Sequence, residues 1–202
     1  IWRIEDGDIT VKAGDTEGTN KVSQGTIIDK VDTNTIITNQ KTDKASSNTV
    51  TIETNDKNDK VEVTLKDVNI DTSKQSKAAV SVTGSGDTTI ELDGDNELKS
   101  GSCKAGLEKD DEMSEDGETI SGKLTIKDDK GKDGSLTAEG GAGGGAGIGG
   151  GVEKTGSNIT IQGGTIEAEG GFGGAGIGGG IKSTGSNIAI QGGTIEAEGG
   201  AG

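Results

Sequence analysis

The residues of this sequence that could do chemistry are carboxylates, because histidine is absent and cysteine occurs once. Two acidic segments have the spacing of divalent-cation ligands. Their members are Asp93, Asp95 and Glu97 in an alternating run, and Asp110, Asp111 and Glu112 in a dense run. Ca²⁺ binds several carboxylate and carbonyl oxygens at once, so we predict calcium ligands in both segments. A solvated acidic loop is the alternative interpretation.

A second set of carboxylates recurs along the chain. The segment TIEAE occurs at 165–169 and again at 194–198, and alternation places its glutamates on the outer face of a strand. Strands paired in register would turn these glutamates into ladders. We predict that the ladders and one aromatic side chain contact a ligand: Glu139, Glu167, Glu169, Phe172, Glu196 and Glu198. The alternatives are a solvated acidic face and a ring that covers a gap beside a glycine corner.

The sequence contains few side chains that could carry out catalysis. Without histidine, neither a Ser-His nor a Cys-His nucleophile system can form. Arg3 is the only arginine, and paired carboxylates are the only remaining route to glycoside hydrolysis. We therefore predict no catalytic residues. Cys103 cannot form an internal disulfide and is interpreted as a small filler residue.

The charge balance excludes one class of partner. The chain has 35 acidic and 20 basic residues, a formal net charge of −15. Such a chain repels DNA, RNA and anionic membrane surfaces, so we predict no nucleic-acid partner. No apolar run is long enough to cross a bilayer, so we also predict no membrane insertion of this chain.

The fold is predicted from an internal repeat. Residues 145–173 and 174–202 are near-identical, with Ile148 recurring as Ile177, 29 residues later; we call these segments the two repeat units. Looser copies extend upstream, with three short strands per unit separated by Gly, Asn and Asp corners. This pattern predicts an all-β chain folded as a single right-handed parallel β-helix, a three-sided solenoid of about five to seven coils of 27–35 residues. The GxGxxG segments of the units are interpreted as corner glycines, since no helix pattern follows them.

Two regions are expected within this fold. Residues 1–54 are predicted to form N-terminal capping coils, and residues 55–202 the repeat region. The sequence starts and stops within a pattern, so we interpret it as a fragment of a longer repetitive protein.

The segments KLTI, GSLTAEGG and AGIGGG, with the VEVTL and TTIEL strands before them, carry a family resemblance over about residues 48–202. They resemble the glycine-rich parallel β-helix repeat domain of cell-surface proteins from Gram-positive gut bacteria. They are also similar to clostridial carbohydrate-binding β-helix domains. The resemblance implies an extracellular location on the bacterial surface, a carbohydrate ligand, and Ca²⁺ as the candidate cofactor.

The function predicted from the sequence is a non-catalytic binding or adhesion module that recognises an extracellular polysaccharide or host glycan. One alternative is an adhesin for a host protein, either immunoglobulin in a superantigen-like manner or mucin. A second alternative is a passive structural stalk. A specific site is expected in the irregular stretch between Asp93 and Asp133 rather than in the regular units.

Overall fold

The computed structural model describes residues 1–202, and the chain is all-β, with a single 3-10 turn at Ile4–Asp6 and no α-helix. The strands, numbered along the chain, are β1 (Trp2–Arg3), β2 (Ile9–Ala13), β3 (Asn20–Gln24), β4 (Ile27–Asp32), β5 (Ile36–Thr38), β6 (Val50–Glu53), β7 (Lys60–Lys66), β8 (Asn69–Asp71), β9 (Val80–Thr83), β10 (Asp87–Asp93), β11 (Asp95–Lys99), β12 (Leu107–Glu108), β13 (Glu112–Met113), β14 (Thr119–Ile120), β15 (Leu124–Lys127), β16 (Ser135–Glu139), β17 (Ile148–Gly149), β18 (Gly156–Ile161), β19 (Thr165–Glu169), β20 (Ile177–Gly178), β21 (Gly185–Ile190) and β22 (Thr194–Glu198). The all-β prediction is confirmed.

The strands form three large sheets and one small one. The seven-stranded sheet has the order β1-β5-β7-β10-β15-β18-β21, and the five-stranded sheet the order β22-β19-β16-β11-β8. The eight-stranded sheet has the order β20-β17-β12-β9-β6-β2-β3-β4, and β13 pairs with β14 alone. Each repeat unit gives one strand to each large sheet.

The prediction of a single right-handed parallel β-helix is wrong. The chain forms several separate sheets, some parallel and some mixed, and no solenoid is present. The departure is clearest near the N-terminus, where β2, β3 and β4 pair antiparallel. The connection from β3 to β4 is a tight turn at Gly25, whose φ of 58° is in the left-handed region. Such short connections join antiparallel strands, whereas parallel strands need long crossovers.

Register follows the repeat where the repeat is regular. Leu136, Ile166 and Ile195 lie opposite one another on adjacent parallel strands, and Ile148 lies opposite Ile177. These pairings follow the 29-residue offset of the two repeat units. The inward residues join one apolar cluster that runs from Trp2 to Ala168. The predicted boundary between residues 1–54 and 55–202 stays a prediction.

The N-terminal end of the apolar cluster is closed by Trp2. This side chain is only 6% exposed, and its Nε1 donates a hydrogen bond to Asp32 Oδ2 at 2.6 Å. The Lys30 ammonium lies 5.7 Å from the centre of the ring, within reach of a cation–π contact. Because Lys30 and Asp32 both belong to β4, the antiparallel segment covers the end of the core.

Candidate functional site

A polar groove crosses the outer face of the seven-stranded sheet where β7, β10 and β15 pair in parallel. Its volume is about 530 Å³, which is within the range of ligand sites. The floor contains Glu62, Thr89 and Thr125, which lie opposite one another in register. With a strand spacing of about 4.8 Å, this row of three side chains extends over about 10 Å. We call this feature the sheet groove.

One wall of the sheet groove comes from the N-terminal strands. The turn between β2 and β3 brings Glu17 to the edge, and the connection from β4 to β5 brings residues 33–35. Asn20 fixes both, because its Nδ2 donates to Thr35 Oγ1 at 2.9 Å and to the Glu62 carbonyl oxygen at 2.8 Å. Since Asn20 is buried, these bonds hold the wall firmly against β7.

The carboxylates of the sheet groove all have partners. Glu17 Oε1 lies 3.6 Å from Lys60 Nζ, and Glu62 Oε1 lies 3.7 Å from Lys127 Nζ. Asp87 Oδ1 accepts a hydrogen bond from the Lys123 backbone N–H at 3.2 Å.

Two of the three lysines in the sheet groove have no such partner. The groove is lined by Lys60, Lys123 and Lys130. Lys123 and Lys130 are exposed and neither forms a salt bridge. The three lysines balance Glu17, Glu62 and Asp87 in formal charge, although the whole chain is strongly acidic, and the ammonium groups of Lys123 and Lys130 form no ion pair.

Lys127 lies beside the groove and acts as an internal cation. Its Nζ is 3.7 Å from Glu62 Oε1, 3.8 Å from Glu91 Oε2 and 3.4 Å from Asp129 Oδ2. Desolvation lowers the pKa of Lys127, but these three carboxylates outweigh it and raise the pKa above its usual value. The side chain therefore stays charged at neutral pH and holds the carboxylates together.

Two carboxylates of the first predicted metal segment are engaged within the chain. Asp93 Oδ2 pairs with Lys66 Nζ at 2.7 Å, and Asp95 Oδ1 accepts from Ser135 Oγ at 2.8 Å. Asp95 and Glu97 are alternate, exposed residues of β11, so their side chains lie on the same face of the strand, and calcium binding at this segment stays a prediction. No group of three His, Cys, Asp or Glu side chains that could hold a metal ion occurs in the structure.

The second predicted metal segment anchors a hairpin. Asp110 Oδ1 accepts from the Gly151 N–H at 2.8 Å, and Asp111 Oδ1 accepts from Ser121 Oγ at 2.6 Å. Asp111 Oδ2 also accepts from Ser157 Oγ. Glu112 is exposed and begins the antiparallel pair β13–β14. The carboxylates of the two aspartates are thus used within the chain, and calcium binding stays a prediction.

Burial perturbs the acids next to this hairpin. Desolvation raises the pKa of Glu108, and the nearby charge of Asp110 adds to the effect. Desolvation also raises the pKa of Asp110. Lys109, which is buried and donates to Ser121 Oγ at 3.0 Å, has its pKa lowered by the same desolvation. The cluster is a partly buried polar anchor beside β12, and Glu108, Asp110 and Asp111 also line a cavity of about 550 Å³.

The predicted ligand residues lie on the five-stranded sheet and at its corner. The glutamate ladders are present in the predicted register. Lys99 Nζ lies 3.0 Å from Glu139 Oε2, and this carboxylate raises the pKa of Lys99. The remaining predicted residues are exposed, namely Glu167, Glu169, Phe172, Glu196 and Glu198. Their contact with a ligand stays a prediction, and none of them lines the sheet groove.

The sequence prediction missed the sheet groove. Its side chains come from separate segments that meet only through strand register and through the fold of residues 14–35. One signal was available, because the strands VEVTL, TTIEL and KLTI carry Glu62, Thr89 and Thr125 at matched outward positions.

Comparisons with known proteins give no match. No protein-family model, curated protein or solved structure matches this chain. No helix with the length and apolar character of a membrane span occurs in the structure. The side chains and their geometry are therefore the basis for assigning a function.

Proposed function

We propose that this chain is a non-catalytic binding module of the bacterial cell surface, and that it holds a polysaccharide or host glycan chain in the sheet groove. The observation that carries the proposal is the polarity of the groove. Of the fifteen residues that line it, Val61 alone is apolar. A hydrophobic ligand would leave these polar groups unpaired, whereas a hydroxyl-rich ligand satisfies them.

Hydroxyl groups of a sugar match the floor chemically. Each threonine hydroxyl both donates and accepts, and each carboxylate accepts several hydrogen bonds. Thr89 and Thr125 are half-buried, so their hydroxyl groups are held in place rather than fully solvated. The strand spacing of about 4.8 Å is close to the length of one pyranose unit, so successive units can face successive strands.

The location and the role of Ca²⁺ are proposed on the resemblance described above. An extracellular module would meet both polysaccharide and free calcium. Since four of the six predicted calcium ligands are engaged within the chain (Asp93, Asp95, Asp110 and Asp111), we propose that the groove binds its ligand directly and that Ca²⁺ assists at most at the exposed glutamate ladders. Comparing binding in Ca²⁺ and in chelator separates these contributions.

The test is a glycan array followed by calorimetry on the best ligand. Thr125→Val removes one floor hydroxyl at nearly constant shape, and we expect it to weaken binding about fivefold. The matched control is Thr137→Val, a half-buried outward threonine on the five-stranded sheet. Loss of binding in the Thr137 variant but not in the Thr125 variant would place the ligand on the glutamate ladders and refute the groove.

A host protein such as immunoglobulin or mucin is the second candidate partner. The exposed edge strand β4 favours it, since Ile28 is 72% exposed and Val31 is 61% exposed. An unpaired edge with apolar side chains can accept a strand from another chain. Binding of immobilised immunoglobulin or mucin that disappears in Val31→Lys would support this candidate. If neither glycan nor protein binds, the passive stalk is the function left.

A further inference from the structure

Glu91 is a buried carboxylate in an outward position of β10. It lies between Thr64 and Lys127 in register, yet it is 0% exposed. Its Oε1 accepts hydrogen bonds from the backbone N–H groups of Asp129 at 2.8 Å and Lys130 at 2.7 Å. Its Oε2 has no hydrogen-bond partner, and the nearest cation is Lys127 Nζ at 3.8 Å. Burying a carboxylate in this way costs free energy of folding. The hydrogen bonds that it makes to the neighbouring loop are what this cost maintains.

The loop that Glu91 holds is residues 128–134, between β15 and β16. This loop folds back over the outer face of the seven-stranded sheet and brings Lys130 to the sheet groove. Asp128 Oδ1 accepts from the Lys132 N–H at 2.8 Å, which closes the loop on itself. Because Glu91 binds the backbone N–H of Lys130 directly, the position of this lysine depends on the buried carboxylate.

We propose that the sheet groove recognises an anionic group, a carboxylate or a sulfate carried on the sugar chain, through Lys123 and Lys130, and that Glu91 is the positioning residue for Lys130. The inference rests on the proposed function and adds the chemical class of the ligand. Its basis is the hydrogen bonding and ion pairing of the charged groups in the groove. Every carboxylate there has a partner, whereas these two ammonium groups have none.

The surrounding charge makes the recognition selective. A formal net charge of −15 repels polyanions in general. Only an anion whose chain also satisfies the hydroxyl and carboxylate groups of the floor can approach the two lysines. Hydrogen bonds from an ammonium to a carboxylate or sulfate are stronger than those between neutral groups, so the charged substituent contributes a large part of the affinity.

The experiment uses calorimetry in calcium-free buffer with three probes of equal length: a uronate oligosaccharide, a sulfated oligosaccharide and a neutral one. We expect Lys123→Gln and Lys130→Gln each to weaken binding of a charged probe roughly tenfold and to leave the neutral probe unchanged. Lys132→Gln is the matched control, since Lys132 is exposed in the same loop but does not line the groove.

A double-mutant cycle tests the positioning role. Glu91→Ala should weaken the charged probe as much as Lys130→Gln, and the combination should add nothing further. Hydrogen exchange at the amides of Asp129 and Lys130 should accelerate in Glu91→Ala without any ligand. If that variant does not fold, Glu91→Gln keeps the side-chain volume and should show the same pattern at smaller amplitude.

The outcomes separate this inference from the function on which it rests. If neutral and charged probes bind equally and the lysine variants are silent, the anionic ligand class is wrong and the groove remains a carbohydrate site. Additive losses for Glu91 and Lys130 would refute the positioning role. If no probe binds, the proposed function itself fails. Preference for one charged probe identifies the anion as carboxylate or sulfate.

Discussion

Two isoleucines at the same position of successive units allow a sharp test of burial. Ile161 and Ile190 lie opposite each other on β18 and β21, but Ile161 is 0% exposed and Ile190 is 55% exposed. We therefore compare Ile161→Ala with Ile190→Ala. Both substitutions change the unfolded chain in the same way, so their difference reports the folded state.

The expected magnitudes follow from the two environments. Truncating a fully buried isoleucine to alanine costs about 2–5 kcal/mol, because a cavity adds to the lost transfer free energy. Complete burial of such a side chain is worth about 1.5–3 kcal/mol. Ile190 has less than half of its surface buried and its loss leaves no closed cavity, so we expect Ile190→Ala to cost about 1 kcal/mol.

Urea unfolding followed by far-ultraviolet circular dichroism measures both free energies of unfolding. The slope m should equal that of the unsubstituted chain, because the surface exposed on unfolding hardly changes. Hydrogen exchange should show faster opening of residues 185–198 in Ile190→Ala, with the rest of the chain unaffected. Equal losses for the two variants would refute the reasoning, since they would require Ile190 to be buried in solution.

Three further predictions concern charge and backbone packing. Lys127→Met leaves the buried carboxylate of Glu91 without its cation, so the free energy of unfolding at pH 7 should fall by about 2 kcal/mol in urea titrations. An unchanged free energy of unfolding would contradict this account. Burial raises the pKa of Glu108 above the usual value of 4.5. The folded chain therefore holds a proton that the unfolded chain releases. The stabilisation from this bound proton is present at low pH and is lost as the pH rises through the raised pKa. Glu108→Gln should therefore stabilise the chain relative to the unsubstituted protein more at pH 7 than at pH 4 in parallel urea titrations, and a pH-independent difference would speak against the raised pKa. A Cβ at Gly145 would lie 1.9 Å from the Lys104 carbonyl oxygen, whereas the atom nearest to a Cβ at Gly199 is 3.4 Å away. Gly145→Ala should therefore lower the free energy of unfolding by about 3 kcal/mol or more, and Gly199→Ala should change it little. Similar melting temperatures for the two variants would show that the backbones separate easily.

The regular part of the fold was predictable because two independent signals agree there. Alternation in TIEAE places Ile166 and Ala168 inward, and both are about 1% exposed. The 29-residue offset then predicts that Ile166 lies opposite Ile195, as observed. A repeat of this length leaves no freedom of register, since a slip of one residue would expose every inward side chain.

The irregular part was not predictable because neither the repeat nor a clear alternation extends to it. Residues 9–32 have no partner in the repeat, so nothing in the sequence indicates that β3 reverses direction after β2. The predicted β-helix extended the regular pattern over this segment and is wrong. Short turns and edge strands are decided by local geometry and by the need to cover Trp2, which periodicity does not report.

The spacing of acidic residues alone did not predict the candidate site. Asp95 and Glu97 are predicted metal ligands because they alternate, but the Asp95 carboxylate accepts a hydrogen bond from Ser135 Oγ on β16, a contact that acidic spacing does not report. The sheet groove depends on contacts such as that of Asn20 with Thr35 and Glu62. These join segments that are distant in sequence, so they could be found only in the folded chain.

The two repeat units match in backbone conformation as closely as in sequence. Asn158 and Asn187 both have left-handed φ values, 55° and 52°, and Glu153 and Lys182 have 58° and 60°. The consequence is genetic. Near-identical tandem segments recombine out of alignment, and a gain or loss of 29 residues carries every strand of the unit to the next equivalent pairing. Chains that differ by one whole unit therefore keep equivalent strand pairings. The length of the chain can vary by inheritance without requiring a new type of strand interface.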